Sequence, residues 1–210
     1  MQIVSINIGK AQAIEAKSGQ SGIFKYPVMQ AVAITELGLD GDVIVDTENH
    51  GGKDQAVYIY GMPDYAWWSA ELGRELKAGT FGENITISEL ESASLCIGDR
   101  LQMGDVLLEV TAPRIPCVTL ATRMDEPQFV KKFLHAERYG AYCRVIEVGK
   151  INTDDAVTLI PYNGERVSIN ELADAFYAKE VSEKQIKRFL SVPLIEKARD
   201  HYQSKLETSS

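Results

Sequence analysis

The chain has 210 residues, enough for one sizeable core or for an ordinary domain with a small appendage. Its 45% hydrophobic and 25% charged residues exclude a disordered or fibrous protein. A net charge of −8 argues against a general binder of nucleic acid or anionic membrane, though it leaves room for one local basic cleft.

In chain order, the first three quarters reads as strand and turn. Residues 2–8 alternate apolar and polar, and 28–34 are rich in β-branched side chains. Further short strands are predicted over 42–46, 56–60, 84–87, 100–103, 106–112, 141–148 and 156–160. Gly41-Asp42, Gly98-Asp99 and Gly104-Asp105 punctuate them, the last as a hairpin signal. Such a series of short strands predicts a mainly β domain, a sandwich or barrel. One helix interrupts it, opened by Pro63, with Tyr65, Trp68, Leu72 and Leu76 in one stripe and Gly79 as its stop. A second is predicted over 127–135.

The pattern changes after Pro161-Tyr162-Asn163-Gly164. Ser168 with Glu171 reads as a capping box, Ser182 caps a second helix, and Pro193 opens a third running through Leu206. This divides the chain into a strand-rich domain over 1–163 and a small three-helix bundle over 164–210, joined by a linker near 161–167. Charges in the tail nearly cancel, so helix-turn-helix binding to DNA is poorly supported. Packing onto the main domain or onto a second copy in a homodimer is the preferred reading.

Cys96, Cys117 and Cys143 are odd in number, far apart and without a CxxC pair, which fits neither a disulfide framework nor structural zinc. There is no signal-peptide pattern and no apolar run near the roughly 20 residues a bilayer requires. The chain reads as cytoplasmic, with no membrane partner.

The most informative segment is Ala112-Pro113-Arg114-Ile115-Pro116-Cys117-Val118-Thr119-Leu120. Two prolines make a stiff bend. A cysteine just past it, with Arg114 three positions back, can be displayed as a thiolate; equally, Cys117 can be a small buried core residue. Four polar loops suggest one anion-binding cleft. Ser21-Gly22-Ile23-Phe24-Lys25 offers a hydroxyl, a flexible amide and an ammonium. His50-Gly51-Gly52-Lys53-Asp54-Gln55-Ala56-Val57 carries His50 and Asp54, suited to proton transfer or hydrogen bonding rather than zinc. Gly79-Thr80-Phe81-Gly82-Glu83-Asn84 adds a carboxylate and an amide, and Arg138 and Arg144 add cations. No phosphate-loop, dinucleotide, GxSxG or HExxH signature is present.

Taken together, these loops, Gly38-Leu39-Asp40-Gly41-Asp42 and the Pro113–Cys117 run resemble the MOSC domain, nearest to its bacterial YiiM-like branch with a three-helix extension. The resemblance implies a β-barrel that holds the molybdenum cofactor, with Cys117 as metal ligand. It places Lys25, Ser21, Gly22, Arg114, Arg144 and Asn84 at the cofactor, and His50 and Asp54 as proton donors. It implies reduction of N-hydroxylated compounds, such as N-hydroxylated nucleobases, with electrons from a separate flavin reductase. No flavin or iron–sulfur cluster is expected in this chain. Two other readings stay open: a sulfur carrier using a Cys117 persulfide without metal, and a structural barrel in which Cys117 is inert.

Overall fold

Branched and aromatic residues with turn chemistry between them produce the strands seen in the computed structural model, which describes residues 1–15 and 19–208. The principal sheet has eight strands: β1 (Ile3–Gly9), β4 (Lys25–Val28), β7 (Val57–Gly61), β8 (Ile85–Ile87), β9 (Arg100–Met103), β10 (Val106–Pro113), β11 (Ala141–Glu147) and β13 (Val157–Ile160). Their spatial order is β13-β9-β10-β11-β7-β8-β1-β4. All pairs are antiparallel except β7 with β8. Among the described residues the strand pairing does not close the expected barrel: the order has two ends, although a bridge between Gln2 and Ala156 and backbone bonds from Ile3 to Asp155, Asp154 to Ile3 and Val157 to Met1 draw the start of β13 towards β1. Two small sheets join β2 (Gln12–Ala13) to β3 (Gln20–Ser21), and β12 (Gly149–Ile151) to β5 (Val32–Thr35) and β6 (Gly38–Leu39).

Two strand predictions need correction. Residues 28–34 split between β4 and β5, and 42–46 form an irregular loop whose side chains line a cavity. Helix α1 (Thr47–His50) follows that loop, and α2 (Met62–Leu72) carries the predicted aromatic stripe. It stops earlier than Gly79, because Gly73 takes the left-handed conformation (φ 61°) and caps it. Trp68 of α2 stacks on Phe133 of α4 (Phe129–Ala136) at 5.7 Å and donates Nε1–H to the Tyr60 hydroxyl at 2.9 Å. This aromatic cluster locks α2 and α4 onto the sheet. Between β10 and α4 lies α3 (Val118–Met124), which the sequence reading missed.

The tail forms α5 (Ile169–Tyr177), α6 (Glu183–Leu190) and α7 (Glu196–Thr208). Ser182 and Gln185 make a full capping box. At α5 only half of one forms: the Ser168 hydroxyl accepts from the Glu171 amide, while the Glu171 carboxylate pairs with Arg188 of α6. The helices share the core of the sheet rather than standing apart. Val167, Ile169, Ala173 and Phe189 are fully buried in the same cluster as the strands. Backbone bonds run from Ile97 to Val167, from Ile169 to Leu95 and from Ile195 to Thr111. Among the described residues no helix is long and apolar enough to cross a membrane.

Candidate active site

Pro113 ends β10 and Pro116 precedes the first turn of α3, so residues 114–117 cross the end of the sheet in extended backbone, with Cys117 as the helix N-cap. The crossing turns Arg114 inward. Its side chain is 4% exposed, its Nη1 has no hydrogen-bond partner, and no carboxylate pairs with it among the described ion pairs. Its neighbours are the faces of Tyr58 and Phe133, each 5.9 Å from the guanidinium carbon. A buried cation without a counter-charge is costly, and aromatic rings recover only part of that cost. The one anionic group the structure sets near it is the Cys117 sulfur, whose charge and that of Arg114 favour each other.

Cys117 lies in the same cavity, half-buried. Burial pushes its thiol up, but a hydrogen bond from His50, the Arg114 charge and the Leu120 amide outweigh it, bringing the pKa down to about 6. The thiolate is therefore the major form at neutral pH. Cys143, by contrast, is fully buried and its thiol is pushed far up by burial and then by Glu109. Of the three sulfurs only Cys117 combines access with a favoured thiolate.

The cavity encloses about 100 Å³, and its wall also includes Ser21, Gly22, Lys25, Asn84 and Tyr142. Ser21 Oγ accepts from the Ile23 amide at 3.1 Å and holds the loop in shape. At Gly22 an added Cβ would lie 1.9 Å from the Val43 carbonyl oxygen, so two wall loops meet there through glycine alone. Lys25 is in the wall, but its ammonium is not free: Asp42 holds it at 2.6 and 2.5 Å, both side chains nearly buried. Asp42 also accepts from the Gly9 amide at 2.8 Å and from Asn84 Nδ2 at 2.8 Å, while Asn84 Oδ1 accepts from the Tyr58 amide at 3.1 Å. Lys25, Asp42 and Asn84 thus form a neutral truss beneath the cavity. Asp42, placed at a strand start by the sequence reading, is its centre.

Two expected site residues point elsewhere. Asp54 forms an ion pair with Arg144, its Oδ1 3.1 Å from Nε, and accepts from the Glu196 amide at 2.7 Å, capping the start of α7. Arg144 also donates to the carbonyls of Pro193 and Leu194. Neither lines the Cys117 cavity; this pair fastens the C-terminal helices to the sheet. In sequence Asp54 and Arg144 look like His50 and Arg114, because spacing does not reveal which side of a short 3₁₀ turn faces inward.

Sequence reasoning also missed Tyr58 and Tyr142, which carry no motif signature, and gave no role to Gln55 although it lies in the His50–Val57 run. Tyr177, at the end of α5, senses the site too: burial, then the Cys117 sulfur, raise its phenol pKa. Among the described residues no group of three or more His, Cys, Asp or Glu could hold a metal ion.

The MOSC domain model matches residues 46–158. YflK of Bacillus subtilis (strain 168) is 32% identical over 191 residues, covering 90% of this chain and 86% of YflK. A protein named Reductase from Gibberella moniliformis is 30% identical over 178 residues, 83% of this chain and 32% of its own length. The crystal structure of YiiM from Geobacillus stearothermophilus has a TM-score of 0.81 at 30% identity, covering 98% of each chain. On the family match and the similarity to these relatives in sequence and fold, the chain belongs to the MOSC domain family, as a YiiM-like member.

Proposed function

We propose that this protein is a molybdenum-cofactor-dependent reductase of N-hydroxylated compounds, N-hydroxylated nucleobases among them, fed by a separate flavin-containing donor. The observation that carries the reading is the buried Arg114 guanidinium, with no carboxylate paired to it and its Nη1 without a hydrogen-bond partner, beside the low-pKa Cys117 sulfur. The donor set fits the group. A thiolate is a soft ligand for molybdenum, and an orphan cation suits its phosphate or dithiolene charge. The cavity, about 100 Å³ and partly open to solvent, lies below the roughly 300–1,000 Å³ of a pocket that surrounds a small molecule, so it suits the anionic end of the cofactor rather than all of it. Cys117 and Arg114 would hold that end, with the Ser21–Gly22 loop as wall; the Lys25–Asp42–Asn84 truss would set the shape without adding net charge.

When bound, the cofactor supplies the two electrons that break the N–O bond. The overall change takes two protons as well, turning R–NHOH into R–NH₂ and water. His50, hydrogen-bonded to the Cys117 sulfur, is the side chain placed to deliver a proton there. Asp54 is withdrawn from that role, since Arg144 and the α7 amide occupy it. The reductase name of the fungal relative is consistent with this reaction class.

Metal analysis of protein expressed in cofactor-competent cells is the test. One molybdenum per chain in the wild type, lost in Cys117→Ser together with turnover of an N-hydroxylated substrate, is the expected result. A wild-type protein without molybdenum but with cyanolysable sulfur would instead make it a persulfide carrier.

A further inference from the structure

A second cavity, of about 540 Å³, opens as a cleft between the sheet and the C-terminal helices. That volume falls within the range of pockets that take a small organic molecule. Part of its wall is apolar: Leu172 and Phe176 of α5, Tyr202 of α7, Ile195 just before α7, and Ile115 from the crossing that leads to Cys117. Part is basic. Lys197, His201 and Lys205 also line it, and they recur at every fourth residue of α7. They therefore form one stripe along roughly 12 Å of that helix, next to the stripe that carries Ala198 and Tyr202.

The sign of the charge here is opposite to that of the molecule. The chain has 30 acidic and 22 basic residues, yet among the described residues no aspartate or glutamate lines this cleft. Neighbouring carboxylates are committed elsewhere. Glu171 of α5 pairs with Arg188 of α6, and Asp54 pairs with Arg144 and caps α7. The field inside the cleft is set by the α7 stripe and is positive. On the opposite wall Phe176 is 65% exposed. A ring left in water to that extent forgoes burial that the apolar body of a ligand would supply. A lysine stripe alone is an ordinary solvated helix face, and an apolar wall alone takes any oily compound. Facing each other across one cleft, they select for a molecule that has both characters.

We propose that this cleft is a second ligand site, distinct from the Cys117 cavity, and that it takes an aromatic acid. The ring of the acid lies against Phe176, Leu172 and Tyr202, and its carboxylate or phosphate pairs with the basic stripe of α7. A lysine ammonium is a rotatable point charge, so it accepts either kind of acid head. The site needs no chemistry at Cys117, and it stands or falls apart from the reductase reading.

Three probes share one ring system and differ in the head group: 2-naphthoate, 2-naphthyl phosphate and the uncharged 2-naphthamide. Their affinities are read by calorimetry on the full-length protein purified from cofactor-competent cells. The wild type is expected to bind at least one acid about 10-fold or more tightly than the amide, the scale of one charge-assisted hydrogen bond. The better of the two acids tells a carboxylate ligand from a phosphate. Lys197→Gln combined with Lys205→Gln should erase the preference by weakening the acids and leaving the amide where it was. Ala198→Trp on α7 and, separately, Ala175→Trp on α5 fill the cleft from two sides, and each should weaken all three probes.

The site is overturned if no probe binds, if the amide binds as well as both acids, if the preference survives the loss of both lysines, or if the affinities survive either tryptophan. Acid binding confined to protein from cofactor-deficient cells would overturn it as well, by giving the cleft to the cofactor.

Discussion

Arg114 and Cys117 have opposite charge preferences that depend on each other, and both can be read without the cofactor. The thiol's position near 6 predicts that its alkylation by iodoacetamide follows a titration centred there, against about 8.5 for an ordinary cysteine. Replacing Arg114 by Met takes away a positive charge that favours the thiolate, so the midpoint should move up. The same substitution tests what the guanidinium is for. Below pH 6 the thiol is protonated and no longer offsets the buried guanidinium, and the contacts with Tyr58 and Phe133 return only part of that loss. At pH 5 Arg114→Met is therefore expected to raise the melting temperature of the cofactor-free protein by about 2–4 °C, the scale of 1 kcal/mol at this size, and to raise it less at pH 8. It should also abolish any stabilisation by inorganic phosphate. A variant that melts lower and still responds to phosphate would show that Arg114 is structural.

At the scale of elements, the truss beneath the cavity joins the end of β1, the start of β4, the loop after β6 and the residue before β8 through one carboxylate, Asp42. Removing its charge leaves the Lys25 ammonium buried and unpaired. Asp42→Asn should then cost about 3–5 kcal/mol in urea unfolding, with Lys25→Met in the same chain recovering much of it. If the two losses simply add, the pair is not the unit described. Sequence showed the elements on either side but not this joint. The stripe of α2, the Ser182 cap and the strand at 106–112 follow from local periodicity and capping, so they were readable; that the full capping box forms at Ser182 and not at Ser168 was not. Val43, Ile44 and Val45 alternate like a strand, yet they serve as cavity wall, because Asp42 spends its hydrogen bonds on three other segments. Gln55 lay inside the quoted His50–Val57 run, but its buried Oε1 without a hydrogen-bond partner is something only packing can show.

Across the whole molecule, the C-terminal helices are bound in ways that a detachable appendage would not be. Asp99, 1% exposed, accepts from the amides of Cys96 and Tyr162 and pairs with Arg166, so the segment read as a linker is nailed to the β9 corner. Arg144 and Asp54 fasten the start of α7 in the same manner, and fully buried Val167, Ile169, Ala173 and Phe189 complete the core of the strands. Arg166→Ala should cost about 1.5–3 kcal/mol, the worth of a hydrogen bond to a charged group, with Asp99 kept partly satisfied by its two amides. Cutting the chain after residue 163 goes much further. It exposes the apolar face of β10 and strips partners from Leu95, Ile97 and Thr111, whose backbone groups bond to the removed residues. The fragment 1–163 is expected to bind an apolar dye, to lose its near-ultraviolet dichroism and to show no cooperative melt. A sharp transition in that fragment at the full-length temperature would mean that the strand-rich part is a domain in its own right. The cleft between sheet and helices would then be an interface between two bodies, not a feature of one.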